Sequence, residues 1–95
     1  MDKILNNLGL CQRASGLISG EEVVLSGIAS GEVCFVFLAK NASENTLKKI
    51  RDKASFYHLE IDESFTSEEL SHAIGKTNRM VIGIINRGFL KILKK

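Results

Sequence analysis

Proline is absent from this 95-residue chain, and cysteine occurs only twice. Without proline, nothing obliges a helix to stop or a sheet amide to go unpaired, which suits regular elements joined by short turns. Cys11 and Cys34 both stand in apolar surroundings; two such residues cannot staple a small secreted fold, and they read as reduced thiols of a cytoplasmic protein. Long apolar runs are missing too. Stretches such as residues 35–39 and 80–85 fall far short of the ~20 residues of a membrane span. No basic segment followed by an apolar one opens the chain, so no secretory signal is expected. What remains is ordinary: 44% hydrophobic and 25% charged residues, at a length fit for one domain, residues 1–95.

The net charge of +2 conceals four blocks of alternating sign. Residues 1–39 balance at −2. Residues 40–56 reach +3 through Lys40, Lys48, Lys49, Arg51 and Lys53, and residues 57–69 carry five acids and no base. Residues 70–95 carry six bases and no acid. Such asymmetry points either to a polyanionic partner or to a solvated basic face.

Hydrophobic spacing alternates between helical and strand periods. Ile4, Leu5, Leu8 and Cys11 mark a helix over 2–14, stopped at Ala14-Ser15-Gly16. After a short strand at 17–18, Ser19 with Glu22 spells a capping box for a helix over 20–30, with Val24, Leu25 and Ile28 inward. The β-branched and aromatic run 33–39 reads as a central strand covered on both faces. Ser43 caps a third helix to about residue 57, with Leu47, Ile50, Ala54 and Phe56 or Tyr57 inward. Residues 58–61 read as a brief strand, and Thr66 or Ser67 caps a short helix over 68–74. A second buried strand spans 80–85, where Gly83 signals a close neighbour. A basic helix over 87–94 turns Phe89, Leu90 and Leu93 inward. This order predicts an α/β class fold, a three-layer α/β/α sandwich with a sheet of about four strands. Strands 33–39 and 80–85 are expected side by side at its centre, with Cys34 unpaired.

Chemistry-bearing constellations are sparse. His58 and His72 fall in different elements with no companion at metal-ligand spacing, so no metal is expected. Cys11 and Cys34 sit on buried stripes, whereas a reactive thiol needs exposure and positive surroundings. The acids at 60, 62, 63, 68 and 69 read as a solvated loop. Neither phosphate-loop glycine pattern occurs. Enzyme, cofactor and small-molecule substrate are therefore not expected. The loop 15–22 carries more information: Gly16 and Gly20 free the backbone at a helix start, where unpaired N–H groups suit a phosphate or base edge. An ordinary strand–helix turn has the same local sequence. Loop 40–43 falls on the same side, and loop 75–79 joins it only if strand 80–85 runs antiparallel to the others.

The stretch Gly20-Glu21-Glu22-Val23-Val24-Leu25-Ser26-Gly27-Ile28, then Gly31 and Phe35-Val36-Phe37-Leu38-Ala39-Lys40-Asn41-Ala42-Ser43-Glu44-Asn45-Thr46, resembles the L7Ae/L30e ribosomal protein family. Ser67-Glu68-Glu69-Leu70 and Ala73-Ile74-Gly75-Lys76 extend the resemblance, which is greatest to the small bacterial YlxQ-type members and covers roughly residues 8–90. It implies an L30e-like sandwich with a mixed sheet, and binding to kink-turns, sharply bent RNA helices with sheared G·A pairs beside a bulge. The implied partners are structured RNA, such as ribosomal RNA, and ribosomal or other translation proteins; no membrane is implied.

The family reads the kink with a Gly-x-Asn-Glu-x-x-Lys motif at the second helix. Here Gly20 is kept, while Glu22, Val23 and Ser26 replace the Asn, Glu and Lys. Ser43 and Leu47 match contact positions at the third helix; Arg79, Val81 and Ile82 match the loop and strand start that meet bulged nucleotides. With their neighbours Ser19, Glu21, Lys40, Asn41, Lys76, Thr77 and Asn78, these are the expected RNA-binding residues. The altered motif leaves a second expectation open, a protein-interaction module of the same fold.

Overall fold

Asp2 starts the first helix: its side chain accepts from the Ile4 amide at 2.7 Å and the Leu5 amide at 3.4 Å. In the computed structural model, which describes residues 2–94, that helix is α1 (Lys3–Arg13). It ends where Ser15 takes a positive φ and the Gly16 N–H turns back to the Cys11 carbonyl at 2.8 Å. Strand β1 (Leu17–Ser19) leads into α2 (Glu21–Ala29), β2 (Phe35–Leu38) and α3 (Glu44–Phe56). Strand β3 (Ile61–Asp62), α4 (Ser67–Ala73), β4 (Val81–Ile84), a 3₁₀ turn at Arg87–Phe89 and α5 (Leu90–Leu93) complete the order.

The four strands form one mixed sheet in the order β1-β4-β2-β3. Strand β4 is antiparallel to both neighbours, with Ser19 opposite Ile82 and Leu38 opposite Val81; β2 and β3 are parallel. The two strands buried along their whole length, β2 and β4, are thus adjacent at the centre, as their unbroken apolar runs require. Helices α2 and α3 pack on one another and on β1, β4 and β2; α1 packs with α4 and α5. The core joins Leu8, Val24, Ile28, Phe37, Ile50, Leu70, Ile82 and Leu93, all essentially inaccessible. Cys11 is buried, Cys34 half-buried, and both are free thiols.

Four expectations change in detail. Ser19 is not the N-cap of α2: its backbone belongs to the β1–β4 ladder, Gly20 takes the cap position, and no side chain caps that end. The box with Glu22 therefore does not form. Phe56 and Tyr57 do not face inward but are 75% and 40% exposed. The inward stripe Leu47–Ile50–Ala54 leaves Phe56 on the opposite side and reaches its next turn only where α3 ends, and Leu59, beyond it, packs on the core instead. The strand expected at 58–61 shifts to Ile61–Asp62, because His58 has a positive φ and its N–H bonds back to Ser55. The C-terminal helix is shorter, since Asn86 and Gly88 shape a 3₁₀ turn first.

Candidate nucleic-acid interface

Because β4 runs against β1 and β2, the segments after β1 and β2 and the segment before β4 meet at one end of the sheet. Backbone hydrogen bonds stitch them together. The Gly20 N–H donates to Val81 O at 3.0 Å, Ala39 N–H to Met80 O at 2.8 Å, and Lys40 N–H to Phe65 O at 2.9 Å. The condition on loop 75–79 is met.

Gly20 has φ +104°, a conformation that side chains resist, and among the described residues a Cβ there would meet Arg79 Nη1 alone, at 3.9 Å. The arginine therefore lies beside the uncapped start of α2. The Arg79 backbone is pinned by Ser71, whose hydroxyl accepts from its N–H at 2.8 Å and donates to its carbonyl at 3.3 Å. The Arg79 Nε is buried with no hydrogen-bond partner among the described residues. With its backbone fixed and its side chain only half-buried, Arg79 brings to this edge a guanidinium, a group that suits a phosphate or carbonyl acceptor. Lys76, Thr77 and Asn78 precede it on an exposed turn, Asn78 at φ +54°.

Across the edge, Glu21 is engaged. Its carboxylate accepts from the Thr46 hydroxyl at 2.7 Å and from Lys49 Nζ at 3.4 Å. The Thr46 hydrogen bond chiefly holds its carboxyl below the usual 4.5, partial burial opposing. Glu22, Val23 and Ser26 remain exposed on the outer face of α2. Ser43 caps α3, its hydroxyl accepting from Thr46 N–H at 3.2 Å, and Leu47 is half-buried against the core. Lys40 is exposed. Asn41 has both polar atoms committed, Oδ1 accepting from the Ser67 amide at 2.8 Å and Nδ2 donating to Glu68 at 3.1 Å. It clamps loop 40–43 to α4.

The structure thus gathers most of the expected residues but sorts them. Gly20, Glu22, Val23, Ser26, Lys40, Lys76, Thr77, Asn78 and Arg79 line the accessible edge. Ser19 and Leu47 are half-buried, and Asn41 and Ser43, although exposed, have their side chains engaged in holding loop 40–43 and the start of α3. Val81 and Ile82 point to opposite faces of a sheet covered on both sides, so both are fully buried and offer no surface to a ligand. Thr46 and Ser71 were missed. Thr46 follows Ser43 at capping distance, but nothing local marks Ser71, whose partner is reached only through the fold.

Elsewhere, burial pushes the Cys11 thiol up to about 11, with the nearby Cys34 adding to the rise, so it stays protonated at neutral pH. His58 and His72 are exposed. No described helix is long and apolar enough to cross a membrane.

A mixed four-stranded sheet with helices on both faces and loops gathered at one end defines the L30e-like class of α/β/α sandwich. The chain belongs to the Ribosomal protein L7Ae/L30e/S12e/Gadd45 family, whose model matches residues 2–94. It is 43% identical over 93 residues to the RNA-binding protein YlxQ of Enterococcus faecium, covering 98% of this chain and 89% of that one. To the RNA-binding protein YlxQ of Bacillus subtilis (strain 168) it is 35% identical over 82 residues, covering 86% and 82%. Among solved structures it resembles a protein of unknown function from Bacillus halodurans C, with TM-score 0.93, 38% identity, and 98% and 94% of the chains covered. The Giardia lamblia 15.5kD RNA binding protein shares the fold, with TM-score 0.83 at 13% identity over 96% and 78% of the chains.

Proposed function

We propose that this protein binds structured RNA through the edge formed by the start of α2, loop 40–43 and loop 76–80. It acts without catalysis, in the cytoplasm, in the ribosome or a translation-associated particle. The RNA is bent like a kink-turn, with the start of α2 at the bend. One observation carries the reading: Arg79, half-buried, brings Nη1 beside the side-chain-free start of α2 at Gly20. The relatives named for RNA binding support it. Recognition then rests on RNA shape and backbone charge, with Lys40, Lys76 and Arg79 supplying the charge.

Exposed Val23, 52% accessible, and the negative Glu22 beside it favour a second reading, in which the same edge meets a protein. A titration separates the two. Wild type and a Glu22→Asn, Val23→Glu, Ser26→Lys variant are measured against a kink-turn duplex and an unkinked control at two salt concentrations. Each regained charge-assisted contact contributes about 1.5–3 kcal/mol, so the variant should bind the kink-turn at least tenfold more tightly. Wild type should prefer the kinked duplex, its affinity falling with salt. No preference in wild type and no gain in the variant would pass the edge to the protein reading.

A further inference from the structure

Beside that edge, α2 and α3 border an open groove of about 400 Å³ lined by none of the residues at the motif's defining positions, 20, 22, 23 and 26. Its lining is Leu25 from α2 with Lys49, Asp52, Lys53, Phe56 and Tyr57 on α3 and at its end. Phe56 and Tyr57 pack edge to face, centroids 5.0 Å apart and planes at 74°, yet Phe56 remains 75% exposed. An aromatic pair held out in water at the end of a helix whose other exposed residues are polar is the kind of patch that marks an interaction site.

We infer that this groove takes one unstacked nucleobase of the bound RNA, its ring against Phe56 and Tyr57 and its phosphate beside Lys49 and Lys53. The inference rests on the RNA reading above. Charge supports a polyanion: three lysines, Lys48, Lys49 and Lys53, stand around Asp52. Lys53 has no ionic partner among the described residues, and the Lys48–Asp52 pair is loose at 3.8 Å and highly exposed. Position supports the same RNA, since Lys49 reaches Glu21 at the start of α2 and so links the groove to the proposed edge. A strand leaving the bend can follow α3 to the aromatic pair. Size suits a single base, because the volume falls in the range of small-molecule sites. Aromatic stacking beside basic side chains is how single-stranded nucleic acid is held without sequence preference.

The test uses the full-length protein and a kink-turn duplex, either blunt or with a four-nucleotide extension carrying 2-aminopurine at its 3′ or 5′ end. In wild type one extension should raise affinity about tenfold, the worth of one stacked base, and change the 2-aminopurine fluorescence. Phe56→Ala should abolish both effects and leave blunt-duplex affinity unchanged, while Phe56→Tyr should retain them; Lys53→Gln should lower the salt dependence of the extension's gain. The Phe56 ring is exposed and leaves no cavity when removed, and a denaturation curve for Phe56→Ala checks that the fold survives. If wild type binds the blunt duplex but neither extension helps, the groove inference is overturned while the edge stands. If no duplex binds, the edge reading fails, and an unstructured ten-nucleotide RNA with 2-aminopurine decides the groove: a Phe56-dependent signal supports it, and no signal overturns it. Concentration-dependent self-association lost in Phe56→Ala, without an RNA effect, also overturns it.

Discussion

Glu21 and Glu63 each hold a position by holding a charge. Glu21 takes the Thr46 hydroxyl and Lys49, bracing the start of α2 against α3. Glu63 takes Arg51 through two bonds of 2.9 and 2.6 Å, tying α3 to the segment after β3. Each carboxyl is held below the usual 4.5, Glu21 chiefly by the Thr46 hydrogen bond and Glu63 chiefly by the one from Arg51. A lowered folded-state pKa means the contribution to stability is fully present above about pH 4.5. It is lost as pH falls through the lowered value, where the folded chain must take up a proton it resists. Urea unfolding at pH 7 and pH 3 should therefore show wild type losing stability on acidification, and Glu21→Gln or Glu63→Gln losing less. Identical losses in wild type and variants would mean these bonds do not persist in solution.

Among the elements, helix starts show how far local sequence reaches. Thr66 and Glu69 form a reciprocal box at the start of α4, at 3.1 and 2.9 Å, within the range read from the residues alone. Ser19 and Glu22 carry the same local pattern, but the ladder to β4 claims Ser19, a partner more than sixty residues away that no capping rule can see. Phe56, the last residue of α3, lies two positions beyond Ala54 and so on the opposite side of the helix, whereas Tyr57 falls near the stripe only where the helix closes. Helix α4 also carries a long-range duty, because Ser71, 5% exposed, fixes the Arg79 backbone from below. Ser71→Ala leaves the Arg79 N–H without that acceptor, which costs about 1–3 kcal/mol. Chemical denaturation should show that loss, and RNA affinity should fall severalfold with a shallower salt dependence, although Ser71 lies beneath the edge. A stability loss with RNA binding untouched would remove α4 from the positioning of Arg79.

At the scale of the molecule, the direction of β4 decides whether a site exists at all, and the sequence left that direction as a condition. Apolar runs locate buried strands but carry no arrow; the antiparallel choice emerges only when β4 slots between β1 and β2. What then sets the spacing between α2 and β4, the two sides of the edge, is Val33. A Cβ on Gly27 of α2 would lie 2.8 Å from Val33 Cγ2, and one on Gly83 of β4 would lie 2.9 Å from the same methyl. The valine is wedged between two positions with no room for a side chain, which explains the glycine inside a central strand. Gly83→Ala should overpack this contact and destabilise by about 1–3 kcal/mol, and Val33→Ala should destabilise by leaving a void. In the double variant the new methyl group occupies part of that void, so the combined loss should be smaller than the sum by about 0.5–3 kcal/mol. The relief is partial, because Val24 also stands 3.3 Å from the Gly83 site. Urea unfolding of the four proteins measures the coupling, and strict additivity would show that α2 is seated on β4 by something other than Val33.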